Sequence, residues 1–283
     1  MRKLRHIVTR IPFFGNLIIL LFRIKIAVTY LVRQLLKVLR WLYESRETTN
    51  LTYDLTELNK NNLGSFLANV TQKGIDELMG YVNEIEQDSH LKSHIENQTA
   101  KSSWSFIADK EARYGRRVGW YALVRASKPK VVLETGVDKG LGSCVITAAL
   151  MRNCAEGHPG YYYGTDINAK AGYLLSGEYR KYGEILYGDS IGSLNGLDKE
   201  IDLFINDSDH SADYEFSEYL TVQDKLSPNA FVLGDNSHCT DKLASFARMT
   251  GRNFLFFQEN PKDHWYPGAG IGIAFKSFGL THS

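Results

Sequence analysis

The sequence has few cysteines, and none of them is paired by spacing. Its 283 residues include only Cys144, Cys154 and Cys239, without a Cys-x-x-Cys motif. This excludes a disulfide framework and a zinc knuckle, so we interpret the cysteines as buried or free thiols in a reducing compartment. Hydrophobic residues make up 43% of the chain and charged residues 23%, as in an ordinary globular protein, which excludes wholesale disorder.

Acidic residues are nearly absent from the beginning of the chain. Residues 1–46 contain ten Lys or Arg and a single acid, Glu44, a balance of +9. The other 237 residues contain 23 basic and 31 acidic side chains, a balance of −8. Because the body is mildly acidic, it lacks the basic face of a nucleic-acid-binding protein, and we predict no nucleic-acid partner.

Residues 1–49 are predicted to form a basic, hydrophobic N-terminal segment. The apolar stretch Ile11–Phe22 is shorter than the roughly 20 residues of a membrane-spanning helix, and no small-residue cleavage site of a signal peptide follows it. Beyond it, apolar residues recur every three or four positions on one helical face, while Arg33, Lys37 and Arg40 fall on another. Such a helix is typical of the surface of an anionic membrane.

This prediction places the protein in the cytoplasm, peripheral to the cytoplasmic face of a membrane that residues 1–46 contact. Three alternatives stay open: the helix packs on the rest of the chain, packs on a second subunit of a homo-oligomer, or spans the membrane. Residues 50–112 follow as a polar, helix-forming stretch, which predicts a helical connector or cap.

Residues 113–283 alternate β-rich runs with helical patterns. The predicted strands are Val131–Glu134, Tyr161–Thr165, Glu184–Tyr187, Ile201–Asn206, Ala230–Gly234, Asn253–Phe257 and Ile271–Phe275. The predicted helices are Gly142–Arg152, Ala169–Tyr182, Ala212–Lys225 and Asp241–Thr250. The alternation predicts an α/β domain with a doubly wound, seven-stranded, mainly parallel sheet. The loop between the last two strands has no helical pattern, so we predict that these strands form an antiparallel hairpin.

An acidic residue lies at or just after the end of each of five consecutive predicted strands. These residues are Glu134, Asp166, Asp189, Asp207 and Asp235, with Asn236 beside the last. In doubly wound sheets, ligands bind beyond the carboxyl ends of the strands. The sequence therefore predicts a ligand site at this edge.

A glycine-rich turn follows the first strand, with the sequence Glu134-Thr135-Gly136-Val-Asp138-Lys-Gly140-Leu-Gly142-Ser143. Glycines let the backbone turn sharply and approach a ligand closely, and the N-terminus of the next helix offers free N–H groups. The spacing differs from the dinucleotide motif Gly-x-Gly-x-x-Gly, and no Gly-Lys-Ser/Thr of a P-loop follows. This argues against an NAD(P)-dependent reductase.

The run Val132-Leu-Glu-Thr-Gly-x-x-x-Gly-x-Gly resembles the first motif of class I S-adenosylmethionine-dependent methyltransferases, and the resemblance covers roughly residues 115–275. It implies the Rossmann-like fold of that family and S-adenosyl-L-methionine as cofactor. The residues that it assigns to cofactor binding are Glu134, Thr135, Gly136, Gly140, Gly142, Ser143, Asp166 for the ribose hydroxyls, Ile167 against adenine, Asp189 and Ser190 at the adenine edge, and Asp207.

The ends of the fourth and fifth strands are similar to those of metal-dependent O-methyltransferases of the catechol and macrocin types. The similarity implies Mg²⁺ held by Asp207, Asp235 and Asn236, with the ion binding a hydroxyl of a small-molecule acceptor. At the position of a catalytic lysine in the catechol type, this chain has His210, which suits a general base. The change points away from catechol and towards a sugar or natural product.

Several assignments have alternatives in the sequence. Asp209 is a second candidate for the first metal ligand, and His238 and His264 are weaker candidates for the base. Trp265 and Tyr266 either stack on an acceptor ring or anchor their loop.

The sequence thus predicts a Mg²⁺-dependent O-methyltransferase that acts on a small hydroxylated acceptor. One alternative is a metal-free O- or N-methyltransferase with His210 as base. A different class is a non-catalytic, membrane-associated protein of the same fold. For either enzyme, an arginine of the segment Tyr114–Trp120 is expected near the carboxylate of the cofactor.

Overall fold

The computed structural model describes residues 12–49 and 51–276, which fall into two compact units. The smaller unit consists of residues 12–46 together with Asp263–Tyr266, and the larger unit of the remaining described residues.

Helix α1 of the smaller unit runs from Pro12 to Glu44. Proline is tolerated at the first helical position, where its missing N–H has no partner to lose. Most large apolar side chains of this helix are exposed, from Leu17 to Tyr43. By length and composition the helix could cross a membrane: an 18-residue window within Gly15–Glu44 has a mean hydropathy of 1.8, a criterion that buried core helices and signal sequences also meet.

Within this unit, Trp41 near the end of α1 contacts the rings of His264 and Trp265. Trp41 meets Trp265 edge-on, with 5.4 Å between ring centroids, and lies 6.4 Å from the ring of His264. His264 and Trp265 stack at 5.8 Å, and the backbone N–H of Tyr266 donates to Nδ1 of His264 at 3.0 Å. Trp265 and Tyr266 therefore have the loop-anchoring contacts that were one of their two predicted roles.

The larger unit begins with four helices. They are α2 (Glu57–Thr71), α3 (Ile75–Glu86), α4 (Ser89–Lys101) and α5 (Arg117–Ser127). Side chains at two of the helix starts accept from free N–H groups, Thr56 from Asn59 at 3.3 Å and Asp88 from Leu91 at 2.9 Å. Each helix buries an apolar face, as Leu78, Val82 and Ile85 do in α3. The helical pattern predicted before the first strand is thus present as α2 to α4.

A seven-stranded sheet forms the centre of the larger unit. Its strands are β1 (Val131–Thr135), β2 (Tyr161–Asp166), β3 (Gly183–Tyr187), β4 (Ile201–Asn206), β5 (Leu226–Gly234), β6 (Asn253–Phe257) and β7 (Ile271–Phe275). The order is β3-β2-β1-β4-β5-β7-β6, and β7 is antiparallel to both neighbours. The predicted fold class, a mainly parallel sheet with a terminal antiparallel hairpin, is confirmed.

Helices α6 (Leu141–Ala155), α7 (Ser190–Gly196), α8 (Ala212–Val222) and α9 (Lys242–Met249) accompany the strands. One core cluster packs Phe204 of β4 and Val232 of β5 against Tyr219 of α8 and Phe246 of α9. The rings of Tyr219 and Phe246 stack at 5.4 Å. Buried on both faces, the central strands are nearly continuous apolar runs, which is why the sequence revealed them.

The helix predicted over Ala169–Tyr182 is wrong. This stretch consists of turns that end in a short 3₁₀ helix, Tyr179–Tyr182. Two of its N–H groups bond to the glycine loop: that of Gly172 donates to Asp138 O at 2.6 Å and that of Leu174 to Lys139 O at 3.1 Å. Gly172 has a φ of +73°, outside the right-handed helical region.

Candidate functional site

A cavity of about 590 Å³ lies at the carboxyl ends of β1 to β5. Parallel strands bring their ends to one edge, so the residues that follow each strand meet here. Gly136, Asp166, Asp189, Asp207 and Asp235, which come from five different strand ends, all line the cavity. The volume is in the range of small-molecule and cofactor sites.

The glycine loop lies directly against the end of β4. Gly136 has a φ of +80°, and a Cβ atom at this position would be only 2.1 Å from the carbonyl oxygen of Asp207. Gly140 has a φ of +90°, and its Cβ would be 3.0 Å from Cα of Gly172. Only glycine fits at Gly136, because both the left-handed conformation and the close approach exclude a side chain.

Four residues assigned to the cofactor from the sequence lie buried beneath the loop. They are Glu134, Thr135, Gly142 and Ser143. The hydroxyl of Tyr162 donates to Glu134 and lies 2.7 Å from Oγ of Ser143. Burial raises the pKa of Glu134 to about 7, although this hydrogen bond and the nearby arginines oppose the rise. These residues therefore support the loop from behind.

Asp166 connects the end of β2 with the glycine loop. Its carboxylate accepts from the backbone N–H of Asp138 at 3.0 Å and from that of Asn168 at 2.8 Å. The neighbouring Ile167 is 83% exposed and lines the cavity. An apolar side chain so exposed beside a cavity offers a surface on which a planar ring can pack.

Asp189 begins helix α7 and accepts from the backbone N–H of Gly192 at 2.8 Å. The hydroxyl of Tyr214 donates to its other oxygen at 2.6 Å. These two hydrogen bonds, that of Tyr214 first, lower the pKa of Asp189. Ser190 lies 2.8 Å from the same hydroxyl, so Tyr214 fixes both residues at the cavity wall.

Glu218 of α8 is a buried carboxylate behind these strand ends. It accepts from Thr135 at 3.0 Å and from Ser208 at 2.7 Å, and it also accepts from Ser190 and Asn206. Burial raises its pKa. One side chain thereby ties together the ends of β1 and β4 and the start of α7.

The predicted acids of β4 and β5 come together with His210. One ligand atom from each of Asp207, Asp235 and His210 lies within 4.8 Å of the others. Burial and then repulsion from Asp235 raise the pKa of Asp207 well above its ordinary value, against the opposing effect of Arg116 and Arg117. Two carboxylates this close repel each other when both are ionised, and a positive charge beside them relieves the repulsion.

Arg116 supplies positive charge to this cluster. Its Nη2 forms an ion pair with Asp235 and lies 3.8 Å from Oδ2 of Asp207. Nη2 of Arg117 is also 3.8 Å from Oδ2 of Asp207. Burial alone would lower the pKa of Arg116, but Asp235, Asp207 and Glu259 outweigh it and raise this pKa. Both arginines of the segment Tyr114–Trp120 therefore contact acids of the site, and the proximity of one of them to the carboxylate of the cofactor stays a prediction.

The other polar candidates have different surroundings. Asn236 is buried and donates from Nδ2 to the carbonyl oxygen of His210 at 2.9 Å. Asp209 is exposed and accepts from the backbone N–H of Ser211 at 2.7 Å. His238 is exposed, with Nδ1 3.2 Å from the carbonyl oxygen of Asp235. His264 belongs to the smaller unit.

The carboxylates of Asp207 and Asp235 fit a hard divalent cation, because carboxylate oxygens are the ligands that Mg²⁺ prefers. A ring nitrogen of His210 lies within 4.8 Å of both. Asn236 has only its amide oxygen left to offer, because its nitrogen is bonded to the backbone of His210. The residues present are therefore chemically suited to the ion, with Arg116 already in contact with the same carboxylates.

Sequence reasoning missed the partners that organise this site. Glu259 is buried and accepts from Arg116 N at 2.7 Å across 143 positions of the chain. Glu218 resembles any other helical glutamate in the sequence. For the Arg116 contacts, the signal was the pair of adjacent arginines in the segment Tyr114–Trp120, and for Glu218 and Glu259 there was none.

A family model for a methyltransferase domain matches residues 133–237. A structure assigned as a caffeoyl-CoA O-methyltransferase from Staphylococcus aureus is similar, with a TM-score of 0.50 and 15% identity over 70% of this chain and 100% of that one. A Bacillus cereus O-methyltransferase in complex with SAH has a TM-score of 0.48 and 13% identity, covering 70% of this chain and 96% of that one.

A methyltransferase from Geobacter sulfurreducens gives a TM-score of 0.48 and 17% identity over 64% of this chain and 87% of that one. No curated protein matches the sequence. The family model extends from β1, through the glycine loop and Asp166, to the 3₁₀ turn after β5. The methyltransferase resemblance found in the sequence is thereby confirmed: residues 133–237 match a methyltransferase domain, and the seven-stranded sheet has the Rossmann-like methyltransferase fold.

Proposed function

We propose that this protein transfers the methyl group of S-adenosylmethionine to a hydroxyl of a small molecule, a sugar or natural product. One observation carries the proposal: a single cavity is lined both by Asp166, Ile167 and Asp189 and by Asp207 and His210. The first set suits a nucleoside, and the second set suits activation of a hydroxyl. A donor and an acceptor bound in one cavity react without a diffusive step.

The cofactor is assigned to the glycine-loop side of the cavity. The carboxylate of Asp166 accepts hydrogen bonds from the ribose hydroxyls. Adenine packs on the exposed side chain of Ile167, and Asp189 and Ser190 lie at the edge of the adenine ring. Gly136 lets the backbone approach the ligand closely, Gly140 lets the loop pack against Gly172, and Asp207 borders the sulfonium end. Glu134, Thr135, Gly142 and Ser143 act from beneath by holding the loop.

Asp166→Ala is expected to weaken S-adenosylhomocysteine binding by more than tenfold. Loss of a hydrogen-bonded charged partner typically costs about 1.5–3 kcal/mol, and Asp166 also supports the loop through Asp138. Calorimetric titration measures the change. Asp202→Ala is the matched control, because Asp202 also accepts hydrogen bonds from two backbone N–H groups. It lies near the start of β4, at the edge of the sheet opposite the cavity. Equal losses in the two variants would remove Asp166 from the cofactor site.

The acceptor hydroxyl is assigned to the cluster of Asp207, Asp235 and His210. Asp207 and Asp235, with Asn236 through its amide oxygen, are the residues that would hold Mg²⁺. The bound ion lowers the pKa of a hydroxyl and fixes its position. His210 accepts the hydroxyl proton while a carbon–oxygen bond forms and the carbon–sulfur bond of the sulfonium breaks. Asn236 positions His210 through its backbone carbonyl.

The ion pair of Arg116 favours a second candidate. In a metal-free O- or N-methyltransferase, Arg116 would neutralise Asp207 and Asp235 permanently, and His210 would be the sole activator of the acceptor.

The experiment that tests the proposed function is calorimetry with S-adenosylmethionine, followed by a screen of hydroxylated sugars and natural products. Methyl transfer is followed with the labelled cofactor, with and without Mg²⁺. We expect cofactor binding and a product methylated on oxygen. A protein that binds no S-adenosylmethionine, or that methylates only nitrogen, would contradict the proposal.

We also propose that α1 lies in the surface of an anionic membrane, on the cytoplasmic face. Its five cations after residue 22 are Arg23, Lys25, Arg33, Lys37 and Arg40, which fall within one half of the helix circumference. Large apolar side chains are exposed on the other half and also between the cations, as Ile26 and Leu36 are. Glu44, the single acid of the segment, is paired with Arg40 at 2.9 Å. This charge pattern complements anionic headgroups.

The full-length protein is therefore expected to sediment with anionic vesicles and to bind neutral ones more weakly. Each cation near the surface contributes about 1 kcal/mol, so Arg33→Glu/Lys37→Glu should weaken binding more than tenfold. Lys181→Glu/Lys199→Glu, which changes the net charge equally in exposed positions of the larger unit, should not. A helix that packs on a second subunit would instead give a dimer that ignores vesicles.

A further inference from the structure

The position of Arg116 is fixed by one buried carboxylate, that of Glu259. This side chain accepts from the backbone N–H of Arg116 at 2.7 Å, from the hydroxyl of Tyr53 at 3.0 Å and from Ala269 N at 3.0 Å. It also lies 3.9 Å from Nη1 of the same arginine. Backbone and guanidinium of Arg116 thus contact a carboxylate that two other groups, Tyr53 and Ala269, hold in place.

From this anchor the guanidinium reaches both acids of the proposed cation site. Nη2 contacts Asp235 and is 3.8 Å from Asp207, and the arginine side chain is only 11% exposed. Its face lies over the ring of Trp120, 5.7 Å from the centroid. A planar, permanently charged group of this kind suits buried carboxylates better than an ammonium does.

Arg116 already lies where a cation shared by the two acids would bind. Its Nη2 meets both carboxylates, Asp235 in an ion pair and Asp207 at 3.8 Å, whereas Arg117 meets only Asp207. A divalent ion held by both carboxylates would therefore lie beside this buried guanidinium, and two positive charges so close repel each other strongly.

We propose that Arg116 is the resident cation of this acidic pair, and that a divalent ion binds to Asp207 and Asp235 only by displacing its guanidinium. This inference rests on the proposed function for the assignment of the two carboxylates as ligands. Arg116 thereby sets the affinity of the site for metal. It also keeps the two carboxylates paired while no metal is bound.

The test is Mn²⁺ binding, measured by electron paramagnetic resonance of the free ion and by calorimetry. We compare the full-length wild type with Arg116→Gln, and we expect Mn²⁺ to bind at least tenfold more tightly to the variant. Arg117→Gln is the matched control, because it removes the same charge from a residue that also lies 3.8 Å from Asp207 and over Trp120. In the part of the chain that the structure describes, the ion pair of Asp235 is with Arg116 and not with Arg117. The effect of Arg117→Gln on Mn²⁺ binding should be clearly smaller.

Arg116→Lys keeps a positive charge in case the glutamine variant does not fold. The shorter, single ammonium cannot reproduce both contacts, so its Mn²⁺ affinity should lie between those of the wild type and Arg116→Gln. Equal or weaker Mn²⁺ binding in the variants overturns the inference, as does an absence of Mn²⁺ binding in all of them. S-adenosylhomocysteine binding and methyl transfer, measured on the same samples, judge the proposed function separately.

Discussion

Exhaustive chelation of divalent cations is expected to stop methyl transfer, and Mg²⁺ or Mn²⁺ is expected to restore it. An alcohol is a poor nucleophile at neutral pH, and a bound cation lowers the pKa of its hydroxyl. The carboxylates of Asp207 and Asp235 lie where the ends of β4 and β5 meet, at the cavity. Initial rates after treatment with EDTA, and after the ion is added back, measure the effect.

Two neighbouring aspartates provide a matched pair for this result. Asp207→Asn should lose turnover and keep cofactor binding, because its carboxylate faces Asp235 and His210. Asp209→Asn should keep turnover, since Asp209 is exposed and caps the turn at Ser211. Undiminished turnover after complete removal of metal would assign the reaction to the metal-free alternative.

His210→Gln is expected to reduce kcat by roughly 10²–10⁴, the usual contribution of a positioned general base. Glutamine preserves the size and the hydrogen-bonding capacity of the side chain but cannot take up a proton. The backbone of His210 is held by Asn236, so the substitution should leave the position of the main chain unchanged. Steady-state rates and S-adenosylhomocysteine affinity, measured together, separate a loss of chemistry from a loss of binding.

His238→Gln is the control for this prediction. His238 is exposed and lies after β5, next to Asp235, but it is not one of the three groups whose ligand atoms come together. Its substitution should change kcat by far less than the roughly 10²-fold minimum expected for a positioned general base. A large loss at His238 with little at His210 would exchange the roles of the two histidines.

The strands of this fold could be predicted from the sequence, because a strand buried on both faces is a short run of mainly apolar residues. Val131–Thr135 and Ile201–Asn206 are short, apolar and bounded by turn residues, and an Asp or Glu lies at or just after the end of each. Parallel strands then bring these acids to one edge by geometry alone, which is why Asp207 and Asp235 were predicted to meet.

What the sequence did not reveal depends on contacts between distant positions. Ala169–Tyr182 has a helical pattern, but the N–H groups of Gly172 and Leu174 bond to carbonyl oxygens of the glycine loop. Nothing in the local sequence predicts these two hydrogen bonds. Arg116 and Glu259 are 143 positions apart and meet only in the folded chain. The role of Glu218 depends on four donors that meet its carboxylate only in the folded chain, so nothing in the sequence indicated it.

Glu218 has a consequence for the energetics of ligand binding. Its carboxylate is bonded both to Ser190, on the proposed adenine side, and to Ser208, beside the proposed acceptor cluster. A ligand that moves one serine changes the hydrogen bond available to the other. Such coupling is reciprocal: whatever factor the cofactor adds to acceptor affinity, the acceptor adds to cofactor affinity. Glu218→Gln is then a way to alter that shared factor without touching either ligand.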